Sequence, residues 1–429
     1  MRYAAPWGRV WVLPDVLLPA CQQALAEIDK PMMYRTNDLG AMLRGALLVC
    51  SLTQLSGCAS LIEKLQAGLS PDKAGSGRPP AELPPTTNQY PLEEGSDLVG
   101  YMAVVRARHE DTLMDIGRRF DVGYHELKDA NPGVDGLLPG EGTEILIPKR
   151  FVLPSGARKG IVLNLAALRM FYFPPPREGE RPVVITHPVG IGREGWRTPT
   201  ITTKIAQKVP KPTWYPPESI RKEHAAEGDK LPAAVGPGPN NPLGEYAMRL
   251  GLPKYLIHGT NKPDGIGMRV SHGCIQMFPE DIENMFKQVP VGTPVRIINE
   301  PYVTGMYQGQ LYLQAYRPLQ EEANVWKGSD KPAMTRVQLA ARASGMDENA
   351  VDWPRVTRAA KAGFGYPLSV NLGAEDENAL RAQAPEYPPA SIGAPPAPQT
   401  TAAPTPEEPP ASPSPDPNAP KPRKVSQSN

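Results

Sequence analysis

The chain has 429 residues, with 46 Lys or Arg against 45 Asp or Glu, and a formal charge of +1. That balance leaves no global basic field to hold nucleic acid, and no stretch reaches the roughly 18 consecutive apolar residues of a membrane span, which excludes a polytopic membrane protein. Proline supplies 53 residues, about 12% against a usual 5%, so part of the chain is linker or tail and the folded part is shorter than the length suggests.

Residues 1–57 read as an extension followed by a secretory leader. From Met42 the order is Arg44, an apolar run from Ala46 to Leu55, then Leu55-Ser56-Gly57-Cys58. Charge, apolar segment and small residues come in the order of a signal peptide. The last four residues resemble a bacterial lipobox, which implies that Cys58 becomes the acylated first residue of the mature protein. Ala59 follows it, not Asp, and by the same resemblance this implies sorting to the outer membrane of a Gram-negative bacterium. Residues 1–41 carry Asp15, Glu27 and Asp38 and fit no secretory n-region, so the expected start is Met42, or Met32 or Met33. None of the cysteines Cys21, Cys50, Cys58 and Cys274 forms a C-x-x-C pair, which removes zinc-ribbon and thioredoxin readings. After such processing Cys274 is the one free thiol, in an oxidising compartment.

Residues 58–97, rich in Gly, Pro and Ser, read as a tether. Residues 98–150 change character. A strand holds Val104-Val105, and Asp111 is placed to cap a helix with Leu113, Ile116 and Phe120 at helical spacing. A second helix surrounds Leu127 and ends at Asn131-Pro132, and Ile145-Leu146-Ile147-Pro148 closes the unit. This strand–helix–helix–strand order resembles a LysM domain, a module that binds peptidoglycan or chitin glycan. Glu110 stands where a glycine commonly precedes the Asp-Thr pair, a departure that bears on sugar affinity.

Residues 158–300 read as mainly β. Ile161 to Leu165, Leu168 to Phe173, Val183 to Thr186, Tyr255 to Ile257 and Val295 to Ile298 run apolar between turn residues. One helix interrupts them from Pro279, with Ile282, Met285, Phe286 and Val289 at i, i+3, i+4 and i+7. Residues 301–384 form an extension with a strand at Gln310–Tyr316 and a helix from Thr335, to which the sequence assigns no chemistry. Residues 385–429 are Pro-rich and nearly devoid of hydrophobics, the composition of a disordered spacer.

The chemistry concentrates at 255–277. His258 ends an apolar strand, and Cys274 opens another after a loop with Gly265 and Gly267. A thiol attacks carbonyls as thiolate, and a neighbouring imidazole moves its proton. Gly273 leaves backbone amides accessible for an oxyanion. His272 lies two residues from the cysteine, so these residues alone leave the base open between His258 and His272. Two histidines and a cysteine are also zinc-ligand types, but no fourth ligand is visible.

His258-Gly259 followed by Ser271-His272-Gly273-Cys274 resembles the L,D-transpeptidases with a YkuD-type catalytic domain. Gly190 to Pro199, Pro212 to Pro216 and Asn241 to Ala247 are similar to the ErfK/YbiS branch. The resemblance implies a β-sandwich with a small helical element. It implies Cys274 as nucleophile, His258 as base, Ser271 and His272 as residues shaping the site, and the amides of Gly273 and Cys274 as oxyanion donors. Gly259, Arg269, Gln276 and Trp214 are the candidate substrate contacts, with Gln276 standing where relatives often carry Arg or Asn. Arg193 and Arg197 are further candidates for stem carboxylates, whereas His109, His125, His187 and His224 read as surface or structural. The implied partners are peptidoglycan stem peptides and glycan, with an outer-membrane lipoprotein lysine or a second stem as acceptor, and no metal or cofactor is implied. The rival readings are an L,D-carboxypeptidase and a non-catalytic wall-binding lipoprotein.

Overall fold

The computed structural model describes residues 88–387; the leader with Cys58, most of the linker and the chain beyond 387 lie outside the described residues. No helix among the described residues is long and apolar enough to cross a membrane. A short strand, β1 (Gln89–Pro91), precedes a β-α-α-β unit made of β2 (Leu98–Arg106), α1 (Leu113–Phe120), α2 (Tyr124–Ala130) and β3 (Glu144–Val152). β2 and β3 pair antiparallel from Leu98↔Val152 to Arg106↔Glu144.

Thr112, not Asp111, caps α1. Its hydroxyl accepts from Asp115 N, and the Asp115 carboxylate accepts from Thr112 N, a reciprocal capping box. Asp111 instead accepts from Arg108 N and pairs with Arg119 at 2.6 Å. Asn131 ties the end of α2 to β3, donating to Leu127 O and Leu146 O and accepting from Leu146 N.

The catalytic region follows with β4 (Gly160–Asn164), β5 (Arg169–Phe173), β6 (Val183–Pro188), β7 (Ile191–Gly192), β8 (Ile201–Pro210) and α3 (Glu218–Ala226). It continues through β9 (Tyr246–Leu250), β10 (Leu256–His258), β11 (Arg269–Ser271), β12 (Ile275–Gln276), α4 (Pro279–Gln288) and β13 (Pro294–Ile298). A nine-stranded sheet runs β1-β6-β5-β4-β13-β8-β9-β10-β12, with β7 and β11 paired beside it. The expected sandwich of two sheets is instead one curled sheet. Ile161, Met170, Ile185, Ile205, Met248, Ile257, Ile275 and Val295, from eight of its strands, share one buried cluster. Gly190, just past β6, exchanges both backbone bonds with Gln276 at the far edge, each 2.9 Å, so the roll nearly closes. Helix α4 plugs it with Ile282, Met285 and Val289, as the helical spacing predicts. β8 has no counterpart in the sequence reading. Its Thr- and Lys-rich run has one fully buried residue, Ile205, and gives no apolar signal.

The extension is folded: β14 (Tyr302–Tyr307), β15 (Gln310–Ala315), α5 (Gln320–Trp326), α6 (Lys331–Ala343), α7 (Trp353–Ala362), β16 (Pro367–Ser369), α8 (Glu377–Gln383) and β17 (Glu386–Tyr387). Its core joins Leu311, Leu313, Val337 and Val356 to Met102, Val104 and Leu146 of the β-α-α-β unit. The opposite face of that sheet puts Ala103, Val105, Ile145 and Ile147 against α1 and α2. Covered on both faces, Met102 to Val105 of β2 and Ile145 to Pro148 of β3 run apolar without alternation. Two expected boundaries move. β1 pairs with β6 inside the segment read as linker. β17 pairs with β2 inside the segment read as tail, and Tyr387 is buried against Phe120 with its hydroxyl 2.8 Å from that of Tyr101. A two-residue strand amid prolines is too short to show in composition.

The β-α-α-β unit is bolted to the catalytic sheet through buried charges. Arg169 makes a forked pair with Glu126 at 2.6 and 2.8 Å and donates to Asp121 O. Within the unit itself, Lys149 donates to Phe120 O at 2.6 Å. His187 Nδ1 lies 3.0 Å from Asp121 and 3.2 Å from Asp281. Burial opposes the charge on His187, but the carboxylates of Asp281 and Asp121 outweigh it and push its pKa up to about 10. Burial and the neighbouring Asp121 push Asp281 up to about 7. Fully buried ions of this kind hold only when each finds partners.

Candidate active site

β10 and β12 run parallel, with Ile257 opposite Ile275 and His258 opposite Gln276. Both isoleucines are fully buried in the core. Alternation along a strand therefore turns His258 and Gln276 to the other face. That face opens on a cleft of about 1580 Å³ lined by His258, Cys274, Gln276, Ser271, His272 and Trp214, among others.

His258 is 4% exposed. Its Nδ1 donates to Gly259 O at 2.6 Å, which fixes the tautomer and leaves the lone pair on Nε2. Burial pushes its pKa down to about 4, against the pull of the Gly259 and Leu243 carbonyls. Burial also raises the Cys274 thiol, only partly offset by the Leu256 amide. The thiol donates to Lys254 O at 3.4 Å. The resting pair is thus a neutral thiol with a neutral imidazole, able to act as acid–base partners once a carbonyl is in place.

The structure separates the two histidines. His272 Nε2 lies 2.8 Å from Glu223 of α3, and its ring meets Trp196 edge-on at 4.8 Å. With that nitrogen engaged by Glu223, the geometry favours His258 over His272 as the candidate base. The same engagement turns His272 from any shared zinc set. Among the described residues the one cluster of metal-ligand types is Asp121, His187 and Asp281, buried at the docking face away from the cleft.

Ser271 holds the nucleophile turn. Its hydroxyl donates to Cys274 O at 2.6 Å and accepts from Gly273 N at 3.1 Å. The Gly273 amide is therefore occupied, which corrects the expectation of two oxyanion donors and leaves the Cys274 N–H. Gly273 has φ +105°, and an added Cβ would lie 3.2 Å from Tyr255 and 3.3 Å from Arg197 O, so glycine is required here. Gly259 is not on the cleft wall. Its carbonyl orients His258, and an added Cβ would sit 3.1 Å from Ile282. Gln276 and Trp214 do line the cleft, Trp214 held by a reciprocal backbone bridge to Val235.

A family model for the YkuD L,D-transpeptidase catalytic domain matches residues 158–297. A relative named "Probable L,D-transpeptidase YbiS", from Escherichia coli, is 38% identical over 287 residues, covering 66% of this chain and 92% of the relative. The chain belongs to the L,D-transpeptidase family. "Probable L,D-transpeptidase ErfK/SrfK" from Escherichia coli is 38% identical over 290 residues, 66% of this chain and 91% of the relative. "Probable L,D-transpeptidase YcfS" from the same species is 39% identical over 264 residues, 60% of this chain and 80% of the relative.

Within this L,D-transpeptidase three arginines read as carboxylate holders are already paired. Arg269 makes a forked bond to Glu321 at 2.8 and 3.1 Å and does not line the cleft. Arg197 lies 3.3 Å from Glu321, and Arg193 pairs with Glu223. Their partners lie well away in sequence, so the arginines look unengaged in the linear chain. Two contributors went unread. Helix α1 of the β-α-α-β unit supplies Met114, Asp115 and Arg118 to the cleft wall, a placement that only docking reveals. Thr198 donates to Gly273 O at 2.9 Å; the one signal was its place in the Gly190–Pro199 stretch.

Proposed function

We propose that this L,D-transpeptidase acts on the tetrapeptide stems of peptidoglycan, and the observation that carries it is Cys274 with the buried, neutral His258 on one cleft. Cys274 attacks the carbonyl of the third residue of the stem, and its proton passes to His258 Nε2. The oxyanion is held by the Cys274 N–H. Collapse breaks the amide C–N bond, His258 returns the proton to the leaving amine, and D-Ala departs from a thioester. An acceptor amine then attacks the thioester, giving up a proton through His258 as the Cys274 thiol is restored. The cleaved amide conserves the acyl energy, so neither ATP nor a cofactor is needed. The acceptor is a diamino acid of a second stem or a lysine of an outer-membrane lipoprotein, and water in its place makes the enzyme a carboxypeptidase. The β-α-α-β order of residues 98–150 supports a LysM-type contact to the glycan. The Leu55–Cys58 motif supports a lipid anchor at Cys58 facing the periplasm.

The test is intact-mass measurement after mixing the protein with a disaccharide-tetrapeptide. A mass gain equal to the disaccharide-tripeptide acyl group, with D-Ala released and both absent in Cys274→Ala, is expected. A folded protein with a titratable thiol that gives neither adduct nor D-Ala overturns the reading in favour of a wall-binding lipoprotein. The mass of the mature N-terminus tests Cys58.

A further inference from the structure

The extension after residue 301 touches the nucleophile loop at a half-buried carboxylate. Glu321, at the start of α5, is 17% exposed on its side chain, and its partner Arg269 is 20% exposed. The forked pair between them joins the extension to β11, the strand that leads into Ser271 and Cys274. Arg269 does more than neutralise Glu321. Its Nε donates to Gly192 O at 3.2 Å. On the other side of the same residue, Gly192 N donates to Thr198 Oγ1 at 3.0 Å. Thr198, 6% exposed, donates onward to Gly273 O at 2.9 Å. Gly192 has no room for a side chain, since an added Cβ would sit 1.9 Å from Trp196 O and 3.0 Å from Gly273 Cα. The links therefore run without a break from α5 to the peptide that carries the Cys274 amide.

We propose that Glu321 is a positioning residue for the reaction, acting through Arg269, Gly192 and Thr198 to hold the Gly273–Cys274 peptide where its N–H meets the oxyanion. This deepens the transpeptidase reading and rests on it. Three features argue for it. Gly273 holds φ +105°, a region its own conformational freedom does not single out, so the orientation of the Gly273–Cys274 peptide is set by its hydrogen-bond partners. Its carbonyl is held by Thr198 and the next one by Ser271, so the peptide plane is fixed from both ends. A fork between carboxylate and guanidinium sets orientation as well as distance, which a lysine cannot reproduce. Because the N–H acts on charge that develops during attack, losing its alignment lowers kcat and leaves substrate binding alone.

The experiment uses the full chain with Glu321→Gln, Arg269→Lys, Thr198→Val and Thr198→Ser, following D-Ala release from a disaccharide-tetrapeptide. Glu321→Gln, Arg269→Lys and Thr198→Val should each lower kcat by about tenfold or more, with KM within about twofold. Thr198→Ser keeps the hydroxyl and should restore most of kcat. The double variant Glu321→Gln with Thr198→Val should fall no further than the worse single one, because both cut the same relay. Multiplicative losses in the double variant overturn the proposal. So does a kcat for Glu321→Gln that stays within twofold of the parent. Iodoacetamide labelling of Cys274 in each variant tests folding of the site without any donor. If the parent labels normally yet releases no D-Ala, the stem-peptide reading fails, whereas a parent that turns over while Glu321→Gln matches it fails only the relay.

Discussion

Titration distinguishes a neutral thiol–imidazole pair from a preformed ion pair. Burial takes His258 from its ordinary 6.5 down to about 4, which favours the neutral ring by a few kcal/mol. A free-enzyme base of that strength puts the acid limb of kcat/KM for D-Ala release near pH 4, well below the ordinary histidine value. Burial moves Cys274 the other way, so at pH 7 it holds less than the few per cent of thiolate found in an ordinary cysteine. Alkylation of Cys274 by iodoacetamide, read by intact mass, should then rise about tenfold per pH unit between about pH 6 and about pH 8. An imidazolium–thiolate pair gives a flat rate over that window, and a flat profile refutes the reasoning. The same shift acts on stability. The folded pKa of His258 lies below its unfolded value, so its contribution is complete above 6.5 and is lost as pH falls through 6.5 towards 4. Urea unfolding should show the parent losing stability relative to His258→Gln across that range, and parallel curves would contradict the burial argument.

At Gly273, alanine forces a Cβ into the 3.2 Å space beside Tyr255 at φ +105°. A cost of about 1–3 kcal/mol at this turn should lower kcat/KM by about 10- to 100-fold in the D-Ala assay, and activity within twofold of the parent would show that the turn tolerates a side chain. At the other end of the chain, ending the protein after Ala384 removes β17 and the buried Tyr387. Against a chain ending after Tyr387, it should lose about 3–5 kcal/mol in urea unfolding, and equal midpoints would place Tyr387 outside the cooperative unit.

Local pattern carried the reading wherever the reacting groups lie close in sequence. Cys274, Ser271 and Gly273 share one turn, and His258 ends an apolar strand, so residue type and spacing single them out as candidates. Helix α4 was equally legible, because a stripe at i, i+3, i+4 and i+7 depends on nothing beyond itself. β8 was not, since one buried residue in ten leaves no periodic signal. The choice between His258 and His272 also lay beyond the sequence: it depends on Glu223, brought in by a helix 49 residues earlier.

The chain's own residues singled out the candidate thiol, carried the family resemblance that implies the class of chemistry, and set the mainly β character of residues 158–300. Tertiary structure decided which imidazole meets Glu223, which turn amide Ser271 takes up, and which carboxylates the arginines pair with. Arg269 shows why. A guanidinium takes whichever carboxylate the fold brings to it, and Glu321 lies 52 residues downstream. Hydrogen bonds and burial act between neighbours in space, and for those groups the neighbours are set by how the sheet curls and how the flanking units dock upon it.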